Sequence, residues 1–119
     1  MPNPVVHFEV TGKDAKKLHG FYSGVFGWSI QADNPMNYGL VSDQDTGGGI
    51  GGGIAGGDGP NQVTFYIEVD DPKAYLGKIE SQGGKTIVPE TEIPGMVIFA
   101  QFADPEGNVV GLVKAGYPG

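Results

Sequence analysis

Apolar residues near the start of the chain first alternate with other residues and then follow a helical period. Val6, Phe8 and Val10 are separated by single residues, which predicts a β-strand with one apolar face. Beyond Asp14, apolar residues return at intervals of three and four positions, at Leu18, Phe21, Tyr22, Val25 and Phe26. The pattern therefore predicts a strand that packs against an amphipathic helix, with Asp14 as its N-cap and Gly27 at its end.

The same order of patterns occurs again in the second half of the chain. Residues 65–69 repeat residues 6–10, with Glu68 matching Glu9, and Asp71 opens a second helical segment. Further strands are predicted at 28–31, 38–42 and 50–55, and in the second half at 85–88, 96–103 and 108–114. Each half is therefore predicted to be βαβββ. We predict one α+β domain over residues 1–119, built from two modules at about 5–56 and 62–117 that share a core.

Composition limits the partners and the compartment. The chain has 7 basic and 14 acidic residues, a net charge of -7, and no cysteine. This charge opposes binding to nucleic acid phosphates and to anionic membranes. The chain lacks both a signal-peptide pattern and an apolar run long enough to span a bilayer. We therefore expect a soluble, cytoplasmic protein with neither nucleic acid nor membrane as a partner.

Three sequence motifs resemble those of the vicinal oxygen chelate superfamily, the group of glyoxalase I, bleomycin-resistance proteins and extradiol dioxygenases. They are His-Phe-Glu-Val on the first strand, Phe-Tyr-Ser-Gly-Val-Phe-Gly-Trp at the end of the first helix, and Asp-Pro-Glu-Gly-Asn before the last strand. The resemblance covers nearly the whole chain. It implies the glyoxalase/bleomycin resistance fold, in which tandem βαβββ modules form a curved sheet around a cup. Because this scaffold hosts both enzymes and non-catalytic binding proteins, the resemblance leaves the activity open.

Metal-dependent members of that superfamily carry ligands on the first and last strands of each module. At the matching positions this chain has His7, Tyr66 and Gly111, and the last strand of the first module offers only Gly and Ile. One ligand of four is therefore retained, and we expect no cofactor and no stoichiometric metal. The alternative is a divalent ion held by an altered set around His7, with Glu9 and Glu68 as further donors.

The resemblance and strand alternation together predict ligand-binding residues on the sheet face that lines the cup. Strand alternation places four side chains on the face that would line the cup, namely His7, Glu9, Tyr66 and Glu68. The aromatic side chains that would extend the cup wall are Trp28, Tyr38, Phe99 and Phe102. Glu9 and Glu68 would form either a carboxylate pair in the cup or two solvated rim residues. Each aromatic wall residue has core packing as its alternative.

Two classes of function follow from these observations. The first is a glyoxalase/bleomycin-resistance-like protein that binds a small molecule between its modules without the usual metal. The alternative is a divalent-metal-dependent lyase, isomerase or dioxygenase with an altered ligand set around His7. A scaffold acting through protein contacts has the least support. We also expect a homodimer, because exposed sheet edges and cup walls offer surfaces that a second copy would cover.

Overall fold

Two helices and seven strands occur in the described part of the chain, residues 2–34 and 37–116 of this computed structural model. Their order is β1 (Val5–Gly12), α1 (Ala15–Phe26), β2 (Gly39–Val41), β3 (Gly52–Gly56), β4 (Gln62–Val69), α2 (Pro72–Ser81), β5 (Lys85–Ile93), β6 (Val97–Ala103) and β7 (Val109–Lys114). The predicted α+β class is confirmed.

The chain divides into two compact units. The N-terminal unit comprises Val6–Thr64, and the C-terminal unit comprises Phe65–Gly119 together with Met1–Val5. In the N-terminal unit the strand order is β2-β3-β1, with β1 parallel to β3 and β2 antiparallel to β3. In the C-terminal unit the order is β4-β7-β6-β5, with β4 parallel to β7 and the other pairs antiparallel. In both units the first strand therefore lies beside the last strand, as expected of a repeat.

The two helices begin alike. Asp14 and Asp71 have extended backbones, and each carboxylate accepts a hydrogen bond from the N–H three residues later, at 3.1 Å from Lys17 and 3.2 Å from Ala74. Helix α1 ends at Gly27, whose left-handed φ of 73° suits glycine. The capping predictions are thus confirmed.

The core of the C-terminal unit lies between α2 and its sheet. Val69, Leu76, Ala100 and Leu112 are buried together, and Ile67, Tyr75, Ile79 and Phe102 pack against them. In the N-terminal unit the most buried apolar side chains are Ile54 and Val41. Burial of these side chains is the main stabilising contribution of each unit.

The orientation of α1 differs from its predicted orientation. His19 is half-buried, and its Nε2 lies 2.7 Å from the carbonyl oxygen of Ile54, to which it donates a hydrogen bond. This bond directs the His19 side of the helix toward β3. As a result Phe21 and Val25, which were predicted to face the sheet, are exposed.

One predicted strand is absent from the first module. Residues 28–31 form only a single bridge between Gln31 and Leu40, so the prediction of a strand at 28–31 was wrong. The carbonyl of Trp28 instead accepts a hydrogen bond from the Ser23 hydroxyl at 2.7 Å, and the Trp28 ring packs on aromatic residues of α1. The sequence Asp33-Asn34-Pro35 also predicts a turn before β2, and Pro35 lies outside the described residues.

Among the described residues, no helix has the length and apolar character needed to cross a bilayer.

Candidate functional site

His7 and Glu9 lie on the same face of β1. Phe8, between them, points to the other face, where its ring lies against Gly52 on β3 so closely that a Cβ there would overlap it. Glu9 is paired in register with Gly53, so the His7 and Glu9 face continues onto a bare glycine of the neighbouring strand. We call this face, with Tyr38 above it, the His7 face.

Tyr38 links the two polar side chains of the His7 face. Its hydroxyl lies 2.9 Å from Nε2 of His7 and 2.9 Å from Oε2 of Glu9. A carboxylate only accepts hydrogen bonds, so the Tyr38 O–H donates to Glu9, and the same oxygen accepts from His7 Nε2–H. The order of donation is therefore His7 to Tyr38 to Glu9, and it requires the imidazole tautomer protonated at Nε2.

The position of Tyr38 is set by its own turn and by the strand beneath it. Asn34 accepts a hydrogen bond from the Tyr38 N–H at 2.9 Å and donates one to its carbonyl at 2.7 Å. The phenol ring lies over Gly53, where an added Cβ would overlap the ring. Gly53 is therefore needed for space, and any other residue there would displace Tyr38 from His7 and Glu9.

Burial favours the uncharged form of His7. Loss of hydration lowers its pKa from the ordinary value of 6.5, because the imidazolium loses more hydration energy than the neutral ring. At neutral pH the ring is thus uncharged, and Nε2 carries its single N–H in the hydrogen-bond order given above. The His7 N–H and the Tyr38 O–H are both used within the series, so the atoms that the His7 face presents to a ligand are chiefly acceptors, above all the Glu9 carboxylate.

An apolar side chain lies next to these polar groups. Leu40 on β2 is paired with Gly53 and shares its face of the sheet, and 42% of its surface is exposed. The exposed Leu40 side chain gives the His7 face an apolar edge that a ligand can cover.

The C-terminal unit has a related arrangement around Tyr66. Gln101 donates a hydrogen bond from Nε2 to the Tyr66 hydroxyl at 2.8 Å. The Tyr66 ring is buried and lies over Gly111, its partner on β7, where a Cβ would overlap it. A tyrosine over a bare glycine thus occurs in both units, but here the hydroxyl partner is an amide.

The other predicted wall residues occupy different places. Glu68 pairs with Val113 and Val113 with Phe99, so Glu68 and Phe99 share the sheet face that carries Tyr66. Phe102 packs against the core beneath α2, on the opposite face. That placement gives no support to the prediction that Phe102 binds a ligand.

Trp28 belongs to an aromatic cluster on the helix side of the N-terminal unit. Its ring centroid lies 5.5 Å from those of Phe8 and Tyr22 and 5.7 Å from that of Phe26. Because Phe8 points away from the His7 face, this placement likewise gives no support to a wall role for Trp28.

The donor atoms do not fit the divalent metal that the family resemblance implies. His7 Nε2 is held by Tyr38, the Tyr66 hydroxyl accepts from Gln101, and Gly111 has no side chain. A carboxylate could not replace Gly111 without displacing the Tyr66 ring. Across residues 2–34 and 37–116, no three His, Cys, Asp or Glu side chains form a group suited to a metal ion.

The sequence did not reveal the roles of Tyr38 and Gln101. Tyr38 was named only as a wall residue, and its link to His7 spans 31 positions of the chain. The available signal was the pair of glycines facing tyrosines, because a bare glycine on a strand often marks the close approach of another group.

Comparison with known proteins assigns the family. The family model described as Glyoxalase/Bleomycin resistance protein/Dioxygenase superfamily matches residues 5–112. This chain belongs to that superfamily. A glyoxylase-like domain-containing protein of Didymella fabae is 30% identical over 110 residues, covering 84% of both chains.

Two further curated relatives are longer proteins. Putative glyoxylase CFP32 of Mycobacterium tuberculosis is 30% identical over 99 residues, covering 79% of this chain and 37% of its own length. Anthracycline biosynthesis protein DnrV of Streptomyces peucetius is 24% identical over 132 residues, covering 97% and 48%. The chain thus spans less than half the length of these two relatives.

Solved structures confirm the predicted fold. Methylmalonyl-CoA epimerase from Mycobacterium tuberculosis has a TM-score of 0.69 at 15% identity, covering 96% of this chain and 89% of its own. A superfamily member from Vibrio splendidus has a TM-score of 0.64 at 15% identity, covering 95% and 99%. At such identities the likeness establishes the glyoxalase/bleomycin resistance fold and no activity.

Proposed function

We propose that this protein binds a small organic molecule on the His7 face and does so without a divalent metal. The observation that carries the proposal is the hydrogen-bonded series from His7 through Tyr38 to Glu9. Such a series places a donor, a hydroxyl and a carboxylate within a few ångströms of one another on a rigid strand pair. Family membership supports a role in small-molecule chemistry, and the longer relatives include an anthracycline biosynthesis protein.

The side chains of the His7 face favour a neutral or cationic ligand with a flat or apolar body. Glu9 supplies negative charge, and the net charge of -7 disfavours anions over the whole surface. The Tyr38 ring and the exposed part of Leu40 offer apolar area, whose burial contributes roughly 25 cal/mol per Å². We therefore propose a planar or apolar compound carrying a hydrogen-bond donor or a positive charge.

The test is a thermal-shift screen of aromatic compounds that differ only in charge, run with a metal chelator present. Glu9→Gln removes one negative charge from the His7 face, and Glu106→Gln removes one from an exposed turn as a matched control. We expect cationic hits to weaken in Glu9→Gln and to be unchanged in Glu106→Gln. Glu68→Gln and Tyr66→Ala, run in parallel, test whether the C-terminal unit contributes to binding.

Two results would contradict the proposal. Anionic compounds could dominate the hits and bind both variants like the wild type, or binding could require added Ni, Zn, Mn or Fe(II). The second result, if lost in His7→Ala, would favour the metal-dependent lyase, isomerase or dioxygenase instead.

A further inference from the structure

The loop between β3 and β4 places a carboxyl group directly before a glycine. Asp58 is the only Asp or Asn of the chain that glycine follows. Asp58 and Gly59 are both exposed, and a Cβ built at Gly59 would meet nothing within 4 Å. Because glycine itself carries no Cβ, the backbone nitrogen of Gly59 can approach the Asp58 side chain without steric hindrance from its own residue.

Neither of these residues is held by a native interaction. Across residues 2–34 and 37–116, the structure gives no hydrogen bond or ion pair to Asp58 or Gly59, through backbone or side chain. Pro60, the next residue, has no N–H to donate. The Asp58–Gly59 peptide can therefore change its backbone dihedrals without losing a native hydrogen bond.

The two ends of this loop are held against the end of β1. The Gly57 N–H donates a hydrogen bond to the Gly12 carbonyl oxygen at 3.1 Å, and the Thr11 hydroxyl donates one to the Pro60 carbonyl oxygen at 3.4 Å. The freedom to move is thus confined to Asp58 and Gly59. A local rearrangement of this peptide does not require the strands to separate.

The other aspartates of the described residues lack this combination. Four carboxylates accept hydrogen bonds in helix caps or turns, namely those of Asp14, Asp45, Asp71 and Asp104. Three aspartates precede residues that carry a side chain, namely Asp33, Asp43 and Asp70. A free carboxylate and a following glycine therefore occur together at Asp58 alone among these residues.

We propose that Asp58 is a site of spontaneous isomerisation to isoaspartate. In the first step, the Gly59 backbone nitrogen attacks Cγ of the protonated Asp58 carboxyl group. An N–Cγ bond forms, the nitrogen gives up its proton, and a Cγ–O bond breaks with release of one water molecule. The product is a five-membered succinimide ring.

In the second step, water adds to the succinimide at the original backbone carbonyl carbon of Asp58, and the bond from that carbon to the Gly59 nitrogen breaks. The nitrogen stays bonded to Cγ, and the former backbone carbonyl becomes a free carboxylate. One water molecule is lost and one is gained, so the mass is unchanged and no cofactor is needed. Opening of the ring at Cγ instead restores aspartate.

The modified loop has one additional methylene in its backbone, between the two fixed ends. We expect the backbone amide shifts to change at residues 11–12 and 57–61, because the hydrogen bonds of Gly57 and Thr11 must adjust to the longer chain. This modification is independent of the ligand binding proposed for the His7 face.

The test is ageing of the folded protein for several weeks at physiological temperature, followed by digestion and peptide mapping. Isoaspartate is identified by electron-transfer fragmentation and by methyl transfer from S-adenosylmethionine with a purified isoaspartate methyltransferase. Gly59→Ala keeps the Asp58 carboxylate but adds a Cβ in open space, and Asp58→Glu keeps the charge but cannot form the five-membered ring. Gly77→Ala, which also adds a Cβ in open space, is the matched control.

We expect isoaspartate to accumulate at residue 58 and to stay at background at the other aspartates. Its rate of formation should fall severalfold in Gly59→Ala, should be zero at this position in Asp58→Glu, and should be unchanged in Gly77→Ala. The rate in the folded protein should lie within about tenfold of the rate in guanidinium chloride, because opening a segment that lacks native hydrogen bonds has a free energy near zero. No isoaspartate at residue 58 in the folded protein, or equal rates in wild type and Gly59→Ala, would overturn the proposal.

Discussion

Replacing Tyr38 with phenylalanine removes one oxygen atom and with it both hydrogen bonds of the His7 face. A neutral hydrogen bond contributes about 1 kcal/mol to stability, and one to a charged group about 1.5–3 kcal/mol. The full loss of both hydrogen bonds would be about 2.5–4 kcal/mol. His7, Glu9 and Tyr38 are only partly buried, so water restores some of the lost bonding. We therefore expect Tyr38→Phe to lower the free energy of unfolding by about 2 kcal/mol.

Urea unfolding followed by both fluorescence and circular dichroism measures this loss and checks two-state behaviour. With a urea dependence of about 2 kcal/mol per molar, the midpoint should fall by about 1 M. Tyr75→Phe is the matched control, because the Tyr75 hydroxyl makes a long, exposed hydrogen bond of 3.4 Å to Asn3. If both variants change stability equally, or if Glu9→Gln shows no energetic coupling to Tyr38→Phe, the hydrogen-bonded series described above does not exist in solution.

Three further predictions concern the same scaffold. Gly53→Ala should lower the free energy of unfolding by about 1–3 kcal/mol, because the alanine Cβ would overlap the Tyr38 ring. Gly59→Ala, which adds a Cβ in open space, should leave stability nearly unchanged, and the denaturant midpoints of the two variants test this difference. Burial lowers the pKa of His7 below 6.5, so the unfolded chain binds more protons than the folded chain as the pH falls below that value. The free energy of unfolding should therefore fall with pH by at most about 1.4 kcal/mol per pH unit. His7→Gln should lack this part of the slope in thermal melts between about pH 5 and 8. Asp71→Ala should lower the free energy of unfolding by about 1 kcal/mol, because it removes the N-cap of α2, whereas Asp71→Ser should keep the capping hydrogen bond. Equal melting temperatures for the two variants would contradict the capping assignment.

Local sequence signals predicted the elements of the fold well. The carboxylates of Asp14 and Asp71 each accept a hydrogen bond from a backbone N–H three residues later. In the turn at residues 104–108, Asn108 donates hydrogen bonds to the Asp104 carboxylate. Both features depend on neighbouring residues alone. The repeat then supplied the topology, because two similar strand-helix-strand patterns of one chain tend to pack in the same way.

Features that depend on distant contacts were not predicted. The rotation of α1 follows from the bond between His19 and Ile54, which are 35 positions apart. Likewise, alternation placed His7 and Glu9 on one face correctly, but the role of Tyr38 depends on the Asn34 turn and on the space above Gly53. Periodicity carries no information about which loop residue reaches a strand.

The central claim, a metal-free binding site on the His7 face, is tested most directly by NMR mapping of the strongest screening hit with chelator present. We expect the backbone amide shifts to change mainly at residues 7–9, at Tyr38 and at residues 51–54, and we expect Tyr38→Phe to weaken the binding. Shift changes centred on other residues, or binding that disappears with chelator and returns with added metal, would contradict it.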